Sequence, residues 1–152
     1  MDIVLSQIPS EAYQILCAAG LGLLLGSERA FKRKAASIRT FALLSAGSAL
    51  FTILSVMAGG GSTTVDTSRI AAQIVSGLGF LGAGVIFRYE NKLTGVTTAV
   101  MIWFAAAIGM ACGFNKIPLA ASSVAIYYLI LIVGEGIHRI SRTKRDLDED
   151  DD

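Results

Sequence analysis

Residues 93–115, LTGVTTAVMIWFAAAIGMACGFN, run for 23 positions without Asp, Glu, Lys, Arg or His. A helix needs about 20 mostly apolar residues to cross roughly 30 Å of hydrocarbon, so this stretch can span a bilayer unaided. Windows 40–65, 70–87 and 117–134 are also uncharged and reach or nearly reach that length, and 12–27 does so once its polar ends are included. Backbone groups find no water in hydrocarbon, so only helices and closed barrels span it, and barrel strands take about 9–11 residues. The chain is therefore expected to be an all-α, polytopic helical membrane protein whose surroundings are the lipid bilayer. Five transmembrane helices are expected at about 9–27, 38–57, 68–88, 95–114 and 118–137.

Between these windows the charges are uneven. Arg29, Lys32, Arg33, Lys34 and Arg39 precede the second helix, Arg88 and Lys92 precede the fourth, and Arg139, Arg142, Lys144 and Arg145 follow the fifth. Eleven of the thirteen basic residues thus share one side, leaving Arg69 and Lys116 on the other. Cytoplasmic loops carry the excess of Lys and Arg, so the N-terminus is expected outside and the C-terminus in the cytoplasm.

Composition agrees: 53% of the 152 residues are hydrophobic, 16% are charged, and the mean hydropathy is +0.62. Residues 1–137 read as one transmembrane unit and 138–152 as a basic-then-acidic tail, too short to bury a core of its own. The acidic end, Asp146 to Asp152, is expected to be disordered and solvated; folding back onto the basic loop or weak cation binding is the alternative. Nothing basic precedes Arg29, so no signal peptide is expected and the first helix stays as an anchor. No nucleic-acid partner is expected. Cys17 and Cys112 lie inside apolar windows and read as small buried hydrophobes. The flexible external loop Gly59–Thr64, Pro9 and Pro118 at helix starts, Asp66 or Ser68 as a cap, and a tight turn over Asn91–Gly95 punctuate the helices.

Small residues recur at every fourth position: Ala18, Gly22 and Gly26, Ser45 and Ala49, and Ala105, Gly109 and Gly113. Such faces let helix backbones approach closely, either within the monomer or across a homodimer seam. Gly77-Leu78-Gly79-Phe80-Leu81-Gly82 matches GxGxxG literally, but a dinucleotide site needs a preceding strand and an acid about 20 residues on. Here position 102 is isoleucine and the glycines lie inside an uncharged window. With Gly84 they make helix 3 thin, so that it either packs closely or breaks and exposes backbone to an ion.

Two charged clusters are candidate sites. Towards the cytoplasm, Glu28, Arg29, Arg39 and Thr40 meet where helices 1 and 2 join; a Glu28–Arg39 pair fixing the hairpin is one reading, and an anion, acidic-lipid or partner contact the other. Outside, Asp66, Arg69 and Gln73 stand at i, i+3 and i+7 on one face of helix 3. They read either as a cap with a local ion pair or as a cation mouth, with Asp66 as the metal-attracting group and Ser76 deeper. Thr97 and Thr98 make the start of helix 4 polar. Trp103 sits at mid-window, a packing residue or constriction. Tyr127 and Tyr128 are adjacent, so at most one is expected to face a given neighbour.

Several of these residues carry a resemblance. Gly26-Ser27-Glu28-Arg29, Ile38-Arg39-Thr40, the run Asp66 to Gly84, Leu93-Thr94-Gly95-Val96-Thr97-Thr98-Ala99 and Trp103 with Ala106-Ala107-Ile108-Gly109 resemble the MgtC/SapB family of bacterial inner-membrane proteins, over about residues 12–135. Position 41 is Phe where the family often has His, and the ACT-like cytoplasmic domain of longer members has no counterpart here, so the chain is similar to the short, SapB-like form. The resemblance implies a role in growth at low magnesium. That role is either translocation of Mg²⁺ or another cation, or regulation of a membrane partner such as a P-type ATPase or the ATP synthase.

Residue chemistry bears on that choice. Mg²⁺ demands oxygen ligands and sheds water reluctantly, yet no carboxylate lies near the middle of any window. Mid-membrane polarity is confined to Ser45, Ser48, Thr52, Gln73, Ser76, Thr97, Thr98, Ser122 and Ser123, which would line a path if helix 3 opened. The protein is expected to form a homodimer, which a translocating form would need. With one His and no paired midplane carboxylates, neither an enzyme nor a bound cofactor is expected, Mg²⁺ entering only as a transported or sensed ion.

Overall fold

The computed structural model describes residues 9–31, 37–59, 66, 68–90 and 92–149, with side chains excepted at 30, 31, 68 and 138–149. Lys32–Lys34, most of the Gly59–Thr64 loop, Asn91 and Asp150–Asp152 fall outside the described residues. Among those described, five helices follow one another: α1 (Ser10–Phe31), α2 (Ile38–Gly59), α3 (Ser68–Val85), α4 (Val96–Gly113) and α5 (Ile117–Glu149). A hairpin of β1 (Phe87–Tyr89) and β2 (Lys92–Thr94) joins α3 to α4.

Ile38–Gly59, Val96–Gly113 and Ile117–Ile137 are long and apolar enough to cross a membrane; Arg69–Val85 is apolar but shorter. α1 has 22 residues, about 33 Å at 1.5 Å per residue. The bundle's outside is correspondingly apolar: Phe80, Leu43 and Ile132 are 82%, 73% and 68% exposed. A continuous exposed apolar surface of this kind is what lipid covers.

At the centre α1, α2 and α4 pack on one another, because glycines remove the side chains that would hold them apart. A Cβ at Gly22 would lie 2.6 Å from the Phe41 carbonyl oxygen, and one at Gly26 would lie 2.9 Å from Ile38 Cα. Between α4 and α2, a Cβ at Gly109 would lie 2.1 Å from the Ser45 carbonyl oxygen and one at Gly113 2.6 Å from Thr52 Cβ. The every-fourth-residue faces are thus consumed inside the protomer, and Gly109 is buried rather than offered to lipid or a second copy. Ala18, Leu25, Phe41, Ala49, Ala105, Ala106, Ile108 and Cys112 fill the core around these contacts. α3 lies against α4 and α2, and α5 against α4 and α1.

Three expectations need correction. α3 runs unbroken through its glycines, yet stops at Val85 rather than 88. Phe87↔Thr94, Arg88↔Leu93 and Tyr89↔Lys92 pair instead across a turn in which Glu90 has φ 49°. α5 does not end near 137: its backbone stays helical to Glu149, so the tail is not disordered over that stretch. Positions 137–149 hold no Gly or Pro, and Arg142/Asp146, Lys144/Asp148 and Arg145/Glu149 are spaced i, i+4, a pattern that supports an extended helix. Trp103, finally, is 52% exposed on the outside of α4 and constricts nothing.

Candidate functional site

The polar side chains of this bundle include an exposed set on α3 and a buried set at the hairpin end. On α3, Asp66, Arg69, Gln73 and Ser76 are all exposed. The helix starts with the Arg69 N–H donating to the Asp66 carbonyl at 3.4 Å. Gln73 borders a 520 Å³ groove between α2 and α3 whose other lining, including Leu43, Phe51, Ile74 and Leu81, is nearly all apolar. A Cβ at Gly77, Gly79 or Gly84 would meet nothing within 4 Å, and at Gly82 only the Ala99 methyl at 3.8 Å. The helix 3 glycines therefore neither break the helix nor close-pack it; most of them thin an outward face. Among the described residues no three His, Cys, Asp or Glu side chains converge to hold a metal ion.

The mid-membrane hydroxyls do not line one path. Ser45, Ser48 and Thr52 are buried at the seam between α2 and α4, where Thr52 Oγ1 donates to the Ser48 carbonyl at 2.8 Å. Ser122 and Ser123 both donate to the Leu119 carbonyl of their own helix, an arrangement that satisfies a hydroxyl locally.

At the hairpin end the last turns of α1 meet the start of α4 and the middle of α5. Arg29 is only 6% exposed. Its Nε donates to Glu28 Oε2 at 2.8 Å, and its Nη2 lies at the same distance from that oxygen. The Tyr127 hydroxyl donates to Glu28 Oε2 at 2.9 Å and lies 3.5 Å from Met101 Sδ. Next to it, the Tyr128 hydroxyl donates to the Leu24 carbonyl and sits 2.9 Å from Ser27 Oγ. The two rings stack edge-on, centroids 5.4 Å apart. Both tyrosines therefore face α1, contrary to the expectation that adjacency would separate them. Together they anchor α5, whose apolar span is otherwise mostly exposed.

Glu28 pairs with Arg29, while Arg39 and Thr40 are exposed at the start of α2. Thr40 instead belongs to a cap: its N–H donates to Ser37 Oγ at 3.4 Å and to the Ser37 carbonyl at 3.0 Å. The S-x-x-T spacing was the available signal for that cap. Burying the Glu28–Arg29 pair leaves each charge dependent on the other, since removing one partner of a buried pair costs about 3–5 kcal/mol. Beside the pair, Arg29, Leu93, Gly95, Val96, Thr97 and Thr98 line a polar cavity of 170 Å³. Thr98 is buried and Thr97 exposed. The structure thus brings Glu28, Arg29 and Thr98 together with Ser27, Tyr127 and Tyr128, and leaves Arg39, Thr40 and the α3 set apart.

Comparison with known proteins places this arrangement. A family model described as the MgtC family matches residues 15–140. The chain is 42% identical over 124 residues to Protein MgtC of Brucella abortus (strain 2308), covering 80% of this chain and 50% of that protein. It is also 42% identical over 130 residues to Protein MgtC of Salmonella typhimurium (strain LT2), covering 84% and 54% respectively. The chain thus spans about half the length of the curated relatives it matches. No solved structure matches it.

Proposed function

The chain belongs to the MgtC family, and from that premise we propose a multi-pass protein of the bacterial inner membrane that serves adaptation to low magnesium by binding and modulating another membrane protein. The uneven loop charges support an N-terminus outside and a cytoplasmic C-terminus. One observation carries the choice of regulation over conduction: Gln73 and Ser76, the polar residues deepest on α3, turn outward instead of lining a lumen. The core between α1, α2 and α4 is meanwhile closed by backbone contacts at Gly22, Gly109 and Gly113. An outward polar face in lipid seeks a partner, because groups unsatisfied in hydrocarbon are costly. The face bearing Gln73, Ser76 and Gly77 is thus the docking surface for a partner of the P-type ATPase or ATP synthase kind. Translocation remains the competing reading, with two copies pairing Asp66, Gln73 and Ser76 into one path.

Both readings meet in one experiment. Purified protein is reconstituted into liposomes for Mg²⁺ flux, alongside Asp66→Asn, and a photo-crosslinker at position 76 is activated in magnesium-starved cells. Regulation expects no saturable flux and a heteromeric adduct at 76. Saturable flux that falls in Asp66→Asn, with only self-adducts at 76, overturns it.

A further inference from the structure

We infer that the cavity at the start of α4 binds a phosphate group. α4 begins after Gly95, at φ 86°, with no side chain capping it. The Ala99 N–H bonds the Gly95 carbonyl, so the amides of Val96, Thr97 and Thr98 precede the first helical acceptor and are orphan donors. They also carry the positive end of the helix dipole, about half a charge.

A helix end alone would not make a site, but two buried side chains converge on this one. Thr98 is 7% exposed and lines the cavity, and among the described residues its hydroxyl takes part in no hydrogen bond. The hydroxyl is not sealed off but opens into the cavity, where it can donate to a ligand. Arg29 is 6% exposed and lines the same cavity. A guanidinium has five N–H donors, and both of its short contacts to Glu28 converge on a single oxygen.

The sign of the ligand follows from charge. Glu28 balances Arg29, the helix end adds positive potential, and on the adjoining hairpin Arg88 and Lys92 outweigh Glu90. The guanidinium, the two hydroxyls and the first amides of α4 can all donate, so the cavity favours an anion. An oxyanion with several oxygens suits a guanidinium, backbone amides and a hydroxyl acting together. A cavity of 170 Å³ is many times the roughly 10–15 Å³ needed by one water. Thr97 and Thr98 are the second and third residues of a spanning helix beside a charged hairpin, the depth at which lipid headgroups lie. The phosphate is therefore either that of an anionic phospholipid or inorganic phosphate, and the site stands whether the protein regulates or conducts.

The test uses full-length protein in phosphate-free maltoside. Native mass spectrometry measures retained phosphatidylglycerol, and thermal unfolding is followed as inorganic phosphate is titrated in. Wild type is expected to retain the lipid or to be stabilised by the ion, and which probe succeeds names the source. Thr98→Val is expected to bind about tenfold less, while its unliganded midpoint stays level, because the hydroxyl faces the cavity and holds no other residue. Arg29→Lys keeps the charge and loses the fork, and is expected to weaken binding similarly should Thr98→Val fail to fold. Wild type that responds to neither probe, or variants that bind as wild type does, overturn the site.

Discussion

Replacing Gly109 by alanine adds one methyl group at the tightest point of the bundle. That carbon would stand 2.1 Å from the Ser45 carbonyl oxygen, 2.9 Å from its carbon and 2.9 Å from Ser48 Cβ. Carbon and oxygen settle at about 3.3 Å or more even in favourable C–H···O contacts, so α2 and α4 must part by roughly 1.2 Å. No rotamer relieves the clash, since the obstruction is backbone and the new group has no torsion to turn. A gap of 0.5–1 Å forfeits about a quarter to a half of each dispersion contact along the seam, and overpacking a well-packed core costs about 1–3 kcal/mol by itself. Together they place Gly109→Ala near 3 kcal/mol, roughly 150-fold in the folded population. The control is the same change at Gly77, where the methyl meets nothing within 4 Å and alanine gains up to about 1 kcal/mol of helix propensity. Unfolding in mixed micelles of rising dodecyl sulfate content, followed by circular dichroism, measures both. If the two variants unfold within 1 kcal/mol of each other, α2 and α4 do not meet through Gly109 and the packing derived above is wrong.

Two other substitutions test the hairpin end. Gly95→Ala puts a side chain on a residue at φ 86° and a Cβ 1.8 Å from the Val85 carbonyl oxygen; it is expected to cost more than Gly109→Ala, read in the same micelle titration. Tyr127→Phe removes the hydrogen bond to Glu28, a bond to a charged group worth about 1.5–3 kcal/mol; it is expected to loosen α5, seen as a lower yield of disulfide between cysteines engineered into α1 and α5.

The helical class, the order of the five helices and the small-residue seams were legible in the sequence, because each rests on composition and period alone. A stretch such as 93–115 has no other stable state in lipid, and glycines at every fourth place of α1 and α4 leave a groove whatever fills it. The occupant of the groove was not legible: the same spacing serves a neighbouring helix or a second copy, and only the packing of α2 against both α1 and α4 decides for the first. The hairpin after Val85 was missed because Phe87, Tyr89 and Leu93 extend an apolar helical pattern as readily as they make short strands. The long α5 was missed because charge suggested a solvated coil, whereas alternate acids and bases at i, i+4 favour helix as well.

The buried ion pair shows most clearly where one-dimensional reasoning stops. Residues adjacent on a helix point about 100° apart and do not normally face each other, so Glu28 was matched to Arg39 across the loop rather than to Arg29 beside it. What brings Glu28 and Arg29 together is a third party. Tyr127 arrives from α5, 99 positions along the chain, and bonds the same carboxylate oxygen that both guanidinium contacts use. Three contacts from two groups, the Arg29 guanidinium and the Tyr127 hydroxyl, meet on one oxygen and tie α1 to α5, with Met101 of α4 beside the hydroxyl. A charge pair on a single turn of α1 thus becomes a clamp for the last helix. It also holds Arg29 at the rim of the cavity by the start of α4, whose other polar side chains are Thr97 and Thr98.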